Sequence, residues 1–119
     1  QRLALCVALG KEADYYFLDE PTKGMDAKSK KIFGELLKEW TKMEKSIVMV
    51  SHDMEFTAKY ADEISLLYQG EIIVQCPVRE FMEENQFYTT GMNRVTRRVN
   101  PHIITIEDVK KYAKRKNSQ

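Results

Sequence analysis

A short apolar run that ends in two carboxylates is the feature that most constrains how this chain folds. Tyr15 to Leu18 are four bulky residues in a row, and the lack of polar alternation predicts a strand covered on both faces, as in a parallel sheet between helices. Asp19 and Glu20 follow directly, before Pro21. Adjacent strand residues point to opposite sides. One carboxylate can therefore hold a hydrated metal ion while the other faces a water or a partner surface.

A second apolar run ends in the tripeptide Ser51, His52 and Asp53. The run, Ser46–Val50, predicts a strand, and the helix between the two strands makes them parallel neighbours with a right-handed connection. Both strands then end at the same sheet edge, where ligands bind in open parallel sheets. We therefore expect His52 to lie beside Asp19 and Glu20. Without those carboxylates, a helix-capping turn with an incidental histidine is the favoured interpretation.

The segment between the two strands has the pattern of an amphipathic helix. Its apolar residues recur at helical spacing over 27–42, and charged residues occupy the other face. Asp26 stands where a helix-capping side chain belongs. The predicted buried positions are Ile32, Phe33, Leu36, Leu37 and Trp40.

The second half of the sequence predicts a hairpin between short helices. Gln69 and Gly70 separate two strand-like runs and form the hairpin turn. The predicted elements are a helix over Met54–Tyr60, strands over Glu63–Tyr68 and Glu71–Gln75, and a helix over Pro77–Glu84 with Pro77 in its first turn. A terminal helix is expected from Ile106, Val109 and Tyr112. Its many lysines are interpreted as solvated rather than as a lipid-headgroup patch.

Composition narrows the class of protein further. The 119 residues are 43% apolar, enough for a core, and carry a formal net charge of +1. So small a charge argues against a nucleic-acid binder that relies on phosphate neutralisation. Cys6 and Cys76 are far apart and are expected to be small buried apolar residues. Residues 1–11 predict a largely buried helix that begins without a cap or an initiator methionine, as if cut from a longer chain.

The stretch from Tyr15 to Asp26 resembles the Walker B and D-loop region of ATP-binding-cassette (ABC) ATPases. The resemblance includes an apolar strand, then Asp-Glu-Pro-Thr, then a loop that ends in Gly-Met-Asp. Gln1-Arg2-Leu3 is similar to the start of the helix that follows the family's signature loop, and His52 is in the place of the family's switch histidine.

This resemblance implies a role for each polar residue at the sheet edge. Asp19 would hold Mg²⁺ through its water shell, and Glu20 would orient and deprotonate the attacking water. His52 would bind the γ-phosphate of ATP and stabilise charge on it during transfer. Gly24, Met25 and Asp26 would form the interface with a second ATPase subunit. For Asp26, helix capping and this interface role are compatible. The implied cofactors are ATP and Mg²⁺.

The resemblance also implies a fold and a division of the chain. Residues 1–84 would be the C-terminal part of an α/β, RecA-like P-loop NTPase core of the ABC type, with parallel strands and a late β-hairpin. Residues 85–119 would be a helical extension that resembles the C-terminal extension of energy-coupling-factor (ECF) and cobalt-type ATPase subunits. The similar stretches are Phe87 to Arg94, Arg97-Arg98 and Thr105 to Val109.

An intact relative would hydrolyse ATP to drive membrane transport of a small nutrient, such as a vitamin or a metal ion. Its expected partners are a second ABC ATPase subunit and a transmembrane coupling or permease subunit, with no nucleic acid. The expected location is the cytoplasm, at the cytoplasmic face of the membrane when assembled. The sequence departs from the family because none of its five glycines belongs to a Gly-x-x-x-x-Gly-Lys-Ser/Thr phosphate loop. We therefore expect the isolated chain to be inactive.

Two other functions are compatible with the sequence. The chain could be a non-catalytic module that dimerises through the D-loop and the terminal extension. The C-terminal lobe of a chromosome-maintenance or recombination ATPase shares the Asp-Glu and histidine pattern. That class carries long heptad-patterned coiled coils, which residues 85–119 lack.

Overall fold

The computed structural model describes residues 13–85 and 87–117. It divides the chain into two compact units, one ending at Asp53 and the other beginning at Met54. The helix expected over residues 1–11 lies outside the described residues. Within the described part, no helix has the length and apolar character needed to cross a bilayer.

Within the described residues 13–53, the first unit is a strand, a helix and a strand. Strand β1 covers Tyr15–Asp19, helix α1 covers Ala27–Lys42 and strand β2 covers Ser46–Val50. The two strands are parallel neighbours, with Tyr15 opposite Ser46 and Asp19 opposite Val50. The bounds of α1 and β2 and the parallel pairing confirm the prediction from the sequence, and β1 extends one residue beyond the predicted Leu18. Asp26 caps α1, since its carboxylate accepts a 2.7 Å hydrogen bond from the Ser29 amide.

One face of this small sheet forms the core of the first unit. Tyr16 is buried and its ring stacks on Trp40 of α1, with 4.3 Å between ring centroids. The Lys45 ammonium lies 5.8 Å from the centre of the Tyr16 ring and donates to the Ala13 carbonyl. Phe33 and Leu37 are also buried on α1. Because the buried positions of α1 lie three to four residues apart, a single stripe of the helix faces the core.

Exposed apolar side chains in the first unit correct two predictions. Tyr15 and Phe17 are 70% and 78% exposed, so β1 is not covered on both faces. Their neighbours on β2 that share this face, Val48 and Val50, are exposed as well. Strand residues alternate between faces, and a single helix can cover only one of them. Ile32 was expected in the core but is 59% exposed, since it falls outside the buried stripe of α1.

The described part of the second unit contains a hairpin and four helices. The hairpin pairs β3, Glu63–Tyr68, with β4, Glu71–Pro77, in antiparallel register. Gln69 and Gly70 both have positive φ angles, 49° and 85°, as the predicted two-residue turn requires. The helices are α2, Met54–Tyr60; α3, Val78–Glu84; α4, Gly91–Thr96; and α5, Ile106–Asn117. Of these, α4 was not predicted.

The core of the second unit lies around α3. Val78, Phe81 and Met82 of α3 are buried together with Ile104, which precedes α5. Six half-buried residues pack against this cluster: Met54, Ala58, Ala61, Ile64, Leu66 and Cys76. Cys76 is therefore half-buried rather than fully buried, and Cys6 lies outside the described residues. The division between residues 84 and 85 stays a prediction.

Candidate functional site

The turn that follows β1 fixes the position of Glu20. The Glu20 amide donates a 2.8 Å hydrogen bond to the Val50 carbonyl, which continues the strand pairing by one residue. At Glu20 the backbone then leaves the strand with a φ angle of 43°. This left-handed conformation is uncommon for any residue other than glycine, asparagine or aspartate. It directs the Glu20 side chain toward the segment after β2.

Glu20 and His52 meet there, although 32 residues separate them in sequence. The His52 amide donates to Glu20 Oε2 at 3.4 Å, and the His52 ring nitrogen Nε2 lies 3.4 Å from Glu20 Oε1. Oε1 is buried and makes no hydrogen bond with the described part of the chain. The His52 side chain is 94% exposed. A buried carboxylate oxygen beside an exposed imidazole can accept a hydrogen bond from a donor such as water.

Asp19 is the last residue of β1 and has an exposed side chain. It lies at the same strand end as Glu20, opposite Val50 in the sheet register. By strand alternation it shares the exposed face with Phe17, whereas Glu20 turns away from it. The separate roles predicted for the two carboxylates stay a prediction.

The segment from Gly24 to Asp26 is a surface loop that leads into α1. Two turn hydrogen bonds shape it, from the Lys23 amide to the Glu20 carbonyl and from the Met25 amide to the Thr22 carbonyl, both 3.1 Å. Gly24 has a φ angle of 77°, which a residue without Cβ adopts at little cost. Gly24 and Asp26 are exposed and Met25 is half-buried, so the loop is accessible to a partner.

A contact that the sequence did not reveal holds the His52 turn to α1. The Lys30 ammonium lies 2.5 Å from Asp53 Oδ2, and the two side chains are 35% and 18% exposed. The Asp53 amide also donates to the Ser51 hydroxyl. The first turn of α1 contains no acidic residue, and a lysine in that turn opposes the helix dipole. Because Lys28 lies in the same turn, the sequence does not single out Lys30 as the residue with a specific partner.

The residues at this edge fit a water-held Mg²⁺ in part. Mg²⁺ retains several waters and binds through one or two carboxylates plus substrate phosphates. Asp19 supplies such a carboxylate, and the unpaired Oε1 of Glu20 supplies an acceptor for a water. Among the described residues there is no group of three or more histidine, cysteine or acidic side chains that could hold a metal by themselves. The 119-residue sequence contains no glycine-lysine phosphate loop, so the phosphate contacts of a nucleotide would have to come from elsewhere.

Comparison with known proteins finds relatives over most of the chain. A putative ABC transporter ATP-binding protein of Bacillus thuringiensis is 44% identical over 109 residues, which is 92% of this chain and 20% of that protein. A putative ABC transporter ATP-binding protein of Methanosarcina mazei is 34% identical over 77% of the chain and 16% of its own length. The energy-coupling factor transporter ATP-binding protein EcfA2 of Staphylococcus saprophyticus is 32% identical over 73% of the chain and 31% of its own length. No protein-family model matches.

The class of protein related to this chain is therefore the ABC transporter ATP-binding proteins. The α/β structure, with its parallel strand pair and antiparallel hairpin, is compatible with a C-terminal portion of such a protein. One of the particular relatives named above is an energy-coupling factor protein, and the chain spans 16% to 31% of the length of the three.

Proposed function

We propose that this chain is the C-terminal part of an ABC transporter ATPase, of the ECF type, and that it supplies the water-activating half of the ATP hydrolysis site. The observation that carries the proposal is the meeting of Glu20 and His52 at the carboxyl edge of two parallel strands. The relatives' names give ATP binding as the activity of their class. Walker B, D-loop and switch histidine are then the identities of Asp19-Glu20, Gly24 to Asp26 and His52.

In this proposal each residue acts on what lies at the strand ends. Asp19 holds the water shell of Mg²⁺, the ion that neutralises phosphate charge in such sites. Glu20 accepts a hydrogen bond from the attacking water through Oε1 and takes its proton. His52, exposed on one side and in contact with Glu20 on the other, donates to the phosphoryl group. The chain contributes no phosphate loop, so the isolated 119 residues bind ATP weakly and do not turn it over.

The sharpest test places this chain in the context that its relatives provide. In the Bacillus thuringiensis relative, the aligned segment is replaced by the 109 matching residues of this chain. We expect the chimera to hydrolyse MgATP at a rate comparable with the parent protein. Glu20→Gln should lower kcat by at least about a hundredfold, because the amide cannot accept the proton of water. ATP binding should be retained.

A matched control isolates the role of Glu20 from a general loss of charge. Glu35 on α1 is also a glutamate but is largely exposed, so Glu35→Gln should leave the rate unchanged. A chimera that binds ATP and hydrolyses it equally well with Glu20→Gln would contradict the proposal. The isolated 119-residue chain, assayed in parallel, should show only background turnover.

The finer parts of the proposal concern transport. The similarity to EcfA2 supports the ECF type, and with it a second ATPase subunit, a transmembrane coupling subunit and a small nutrient as cargo. The corresponding location is the cytoplasmic face of the membrane. Affinity capture with the chimera as bait, from membranes that contain an ECF transporter, should recover the ATPase partner.

The exposed loop at Gly24 to Asp26 also favours a second candidate, a non-catalytic module that pairs with an intact ATPase subunit. Mixing the isolated chain with an intact ECF ATPase subunit distinguishes the two functions. A module should form a stable heterodimer with the intact subunit and change the rate at which that subunit hydrolyses ATP. A chain that acts only as part of one ATPase should form no such complex.

A further inference from the structure

We propose that Lys30 and Asp53 are positioning residues that set the place of His52 relative to Glu20 and link the D-loop to the site. This inference rests on the proposed function, and it assigns a role to a contact outside the Walker B, D-loop and switch histidine motifs. The two side chains come from different elements: Lys30 from the first turn of α1, and Asp53 from the turn after β2.

The geometry of the pair suits a positioning role. Asp53 directly follows His52, so fixing its carboxylate restricts the backbone of the histidine. Both side chains are partly buried and the Lys30 ammonium lies 2.5 Å from Asp53 Oδ2. Partial burial reduces the screening of such a pair by water and salt. The hydrogen bond from the His52 amide to Glu20 is longer, at 3.4 Å. The charge-assisted ion pair is therefore a strong restraint on the segment that carries His52.

The other end of the pair leads to the proposed subunit interface. The Lys30 amide donates a 2.9 Å hydrogen bond to the carbonyl of Asp26, and the Asp26 side chain caps the same helical turn at Ser29. A partner that engages Asp26 and shifts this turn would carry Lys30, and with it Asp53 and His52. The chain of contacts thus runs from the loop at Gly24 to Asp26 to the histidine beside Glu20.

The first experiment tests, in the 119-residue chain itself, whether Lys30 holds the His52 amide close to Glu20. In backbone amide NMR spectra, Glu20→Gln should shift the His52 amide resonance, because that amide contacts the Glu20 carboxylate. In a Lys30→Met background the same Glu20→Gln change should shift it by less than half as much. Lys31→Met is the matched control, since Lys31 is the next residue on α1 and its ion pair with Glu35 is 3.8 Å long and exposed. It should leave the shift unchanged.

The second experiment measures the rate of ATP hydrolysis by the chimera described above. Lys30→Met and Asp53→Asn should each lower kcat by about 10- to 100-fold, the range seen when a supporting contact of a site is lost. The KM for ATP should change by less than about twofold, since the proposed function gives neither residue a contact with the nucleotide. The double variant should be no slower than either single variant. Lys30→Arg, which keeps the charge, should restore most of the rate.

The outcomes separate this inference from the function on which it rests. If Glu20→Gln leaves the chimera active, the proposed function fails. If Glu20→Gln lowers kcat as expected while Lys30→Met and Asp53→Asn leave kcat unchanged, only the positioning role fails. An undiminished Glu20-dependent shift of the His52 amide in the Lys30→Met chain would also overturn the positioning role. Circular dichroism of each variant, with Lys30→Arg as the folded reference, identifies any loss caused by unfolding.

Discussion

Glu20 combines a strained backbone with a buried oxygen that makes no hydrogen bond within the described residues, and each feature costs stability. A positive φ angle at a residue of this kind costs about 1 kcal/mol or more, and such strain is concentrated at functional sites. The hydrogen bond from its amide to the Val50 carbonyl maintains the conformation. A glutamate that served only as a turn residue would gain by replacement with glycine or asparagine. Because Glu44 and Gln69 have positive φ angles as well, the buried Oε1 without a hydrogen bond is the feature that supports a role in chemistry for Glu20.

Asn93 is the residue whose loss should most disturb the second unit. Its side chain is fully buried, and Nδ2 donates to the carbonyls of Pro101 and Ile103 at 2.7 and 3.0 Å. Asn93→Ala leaves both carbonyls without that donor, so it should lower the free energy of unfolding by about 2–4 kcal/mol. Urea unfolding measures the change. Asn117→Ala, at the exposed end of α5, is the control and should have an effect within about 0.5 kcal/mol.

Asp108 should make the second unit sensitive to acid. Partial burial raises the pKa of this carboxyl, but hydrogen bonds from the Thr105 and Ile104 amides and the Thr105 hydroxyl, with the charge of Arg79, outweigh it and hold the pKa below its ordinary value. A lowered pKa in the folded state stabilises the fold at pH values above the unfolded pKa of about 3.9. This stabilisation is lost as the pH falls from there through the folded pKa.

Asp108→Asn gives the measurement for that dependence. At pH 7 it should lower the free energy of unfolding by about 1–2 kcal/mol, since hydrogen bonds to a charged acceptor become bonds to a neutral one. Below pH 4 the difference between variant and wild type should shrink toward zero. Glu107→Gln is the comparison. Lys59 lowers the pKa of Glu107 through a hydrogen bond, but that pair is largely exposed and should matter less. A constant difference across pH would contradict this account.

The hairpin turn offers a test at the level of a single element. Gln69 and Gly70 both have positive φ angles, a conformation for which an Asn-Gly pair is favoured. Gln69→Asn should therefore stabilise the second unit by about 0.5 kcal/mol. Gly70→Ala should destabilise it by about 1 kcal/mol. A Cβ at Gly70 would meet no atom within 4 Å, so the loss would come from the backbone alone. Thermal unfolding of both variants measures the two effects, and equal midpoints would be incompatible with the turn geometry.

The elements that the sequence predicted well are those with local causes. The bounds of α1, β1, β2 and β3 follow from apolar spacing, a capping aspartate and turn residues that lie close in sequence. The meeting of Glu20 and His52 was also predictable, because parallel strands bring their carboxyl ends to one edge. Each of these conclusions needs only one rule, applied either to residues close in sequence or to the ends of two parallel strands.

The elements that were missed depend on partners far along the chain. Helix α4 is only six residues long. Its capping residue Thr90 is buried, and the Thr90 hydroxyl donates to the Ile104 carbonyl, 14 residues further along the chain. The exposed face of β1 was missed because four apolar residues in a row do not say how many helices will cover them. The ion pair of Lys30 with Asp53 joins residues 23 apart, and side-chain pairing at that range has no periodic signal.

At the scale of the whole molecule, the exposed apolar face of the first unit favours self-association in solution. Tyr15, Phe17, Val48 and Val50 form a contiguous apolar surface on neighbouring strands, and such surfaces mark interaction sites or association in the free protein. The strand edges of a two-stranded sheet add unpaired backbone groups. A net charge of only +1 provides little repulsion between copies. The isolated chain should therefore associate with itself in a concentration-dependent manner.

Phe17→Lys tests whether this face causes the association. The substitution places a charge at the centre of the surface and removes an aromatic side chain whose burial contributes about 1.5–3 kcal/mol, so the dissociation constant should rise at least about tenfold. Sedimentation equilibrium over a range of concentrations measures it. Val95→Lys is the matched control, because Val95 is 81% exposed but lies on α4 in the other unit. Equal effects of the two substitutions would point to net charge, and a wild-type chain that is monomeric at every concentration would show that this face does not associate with itself.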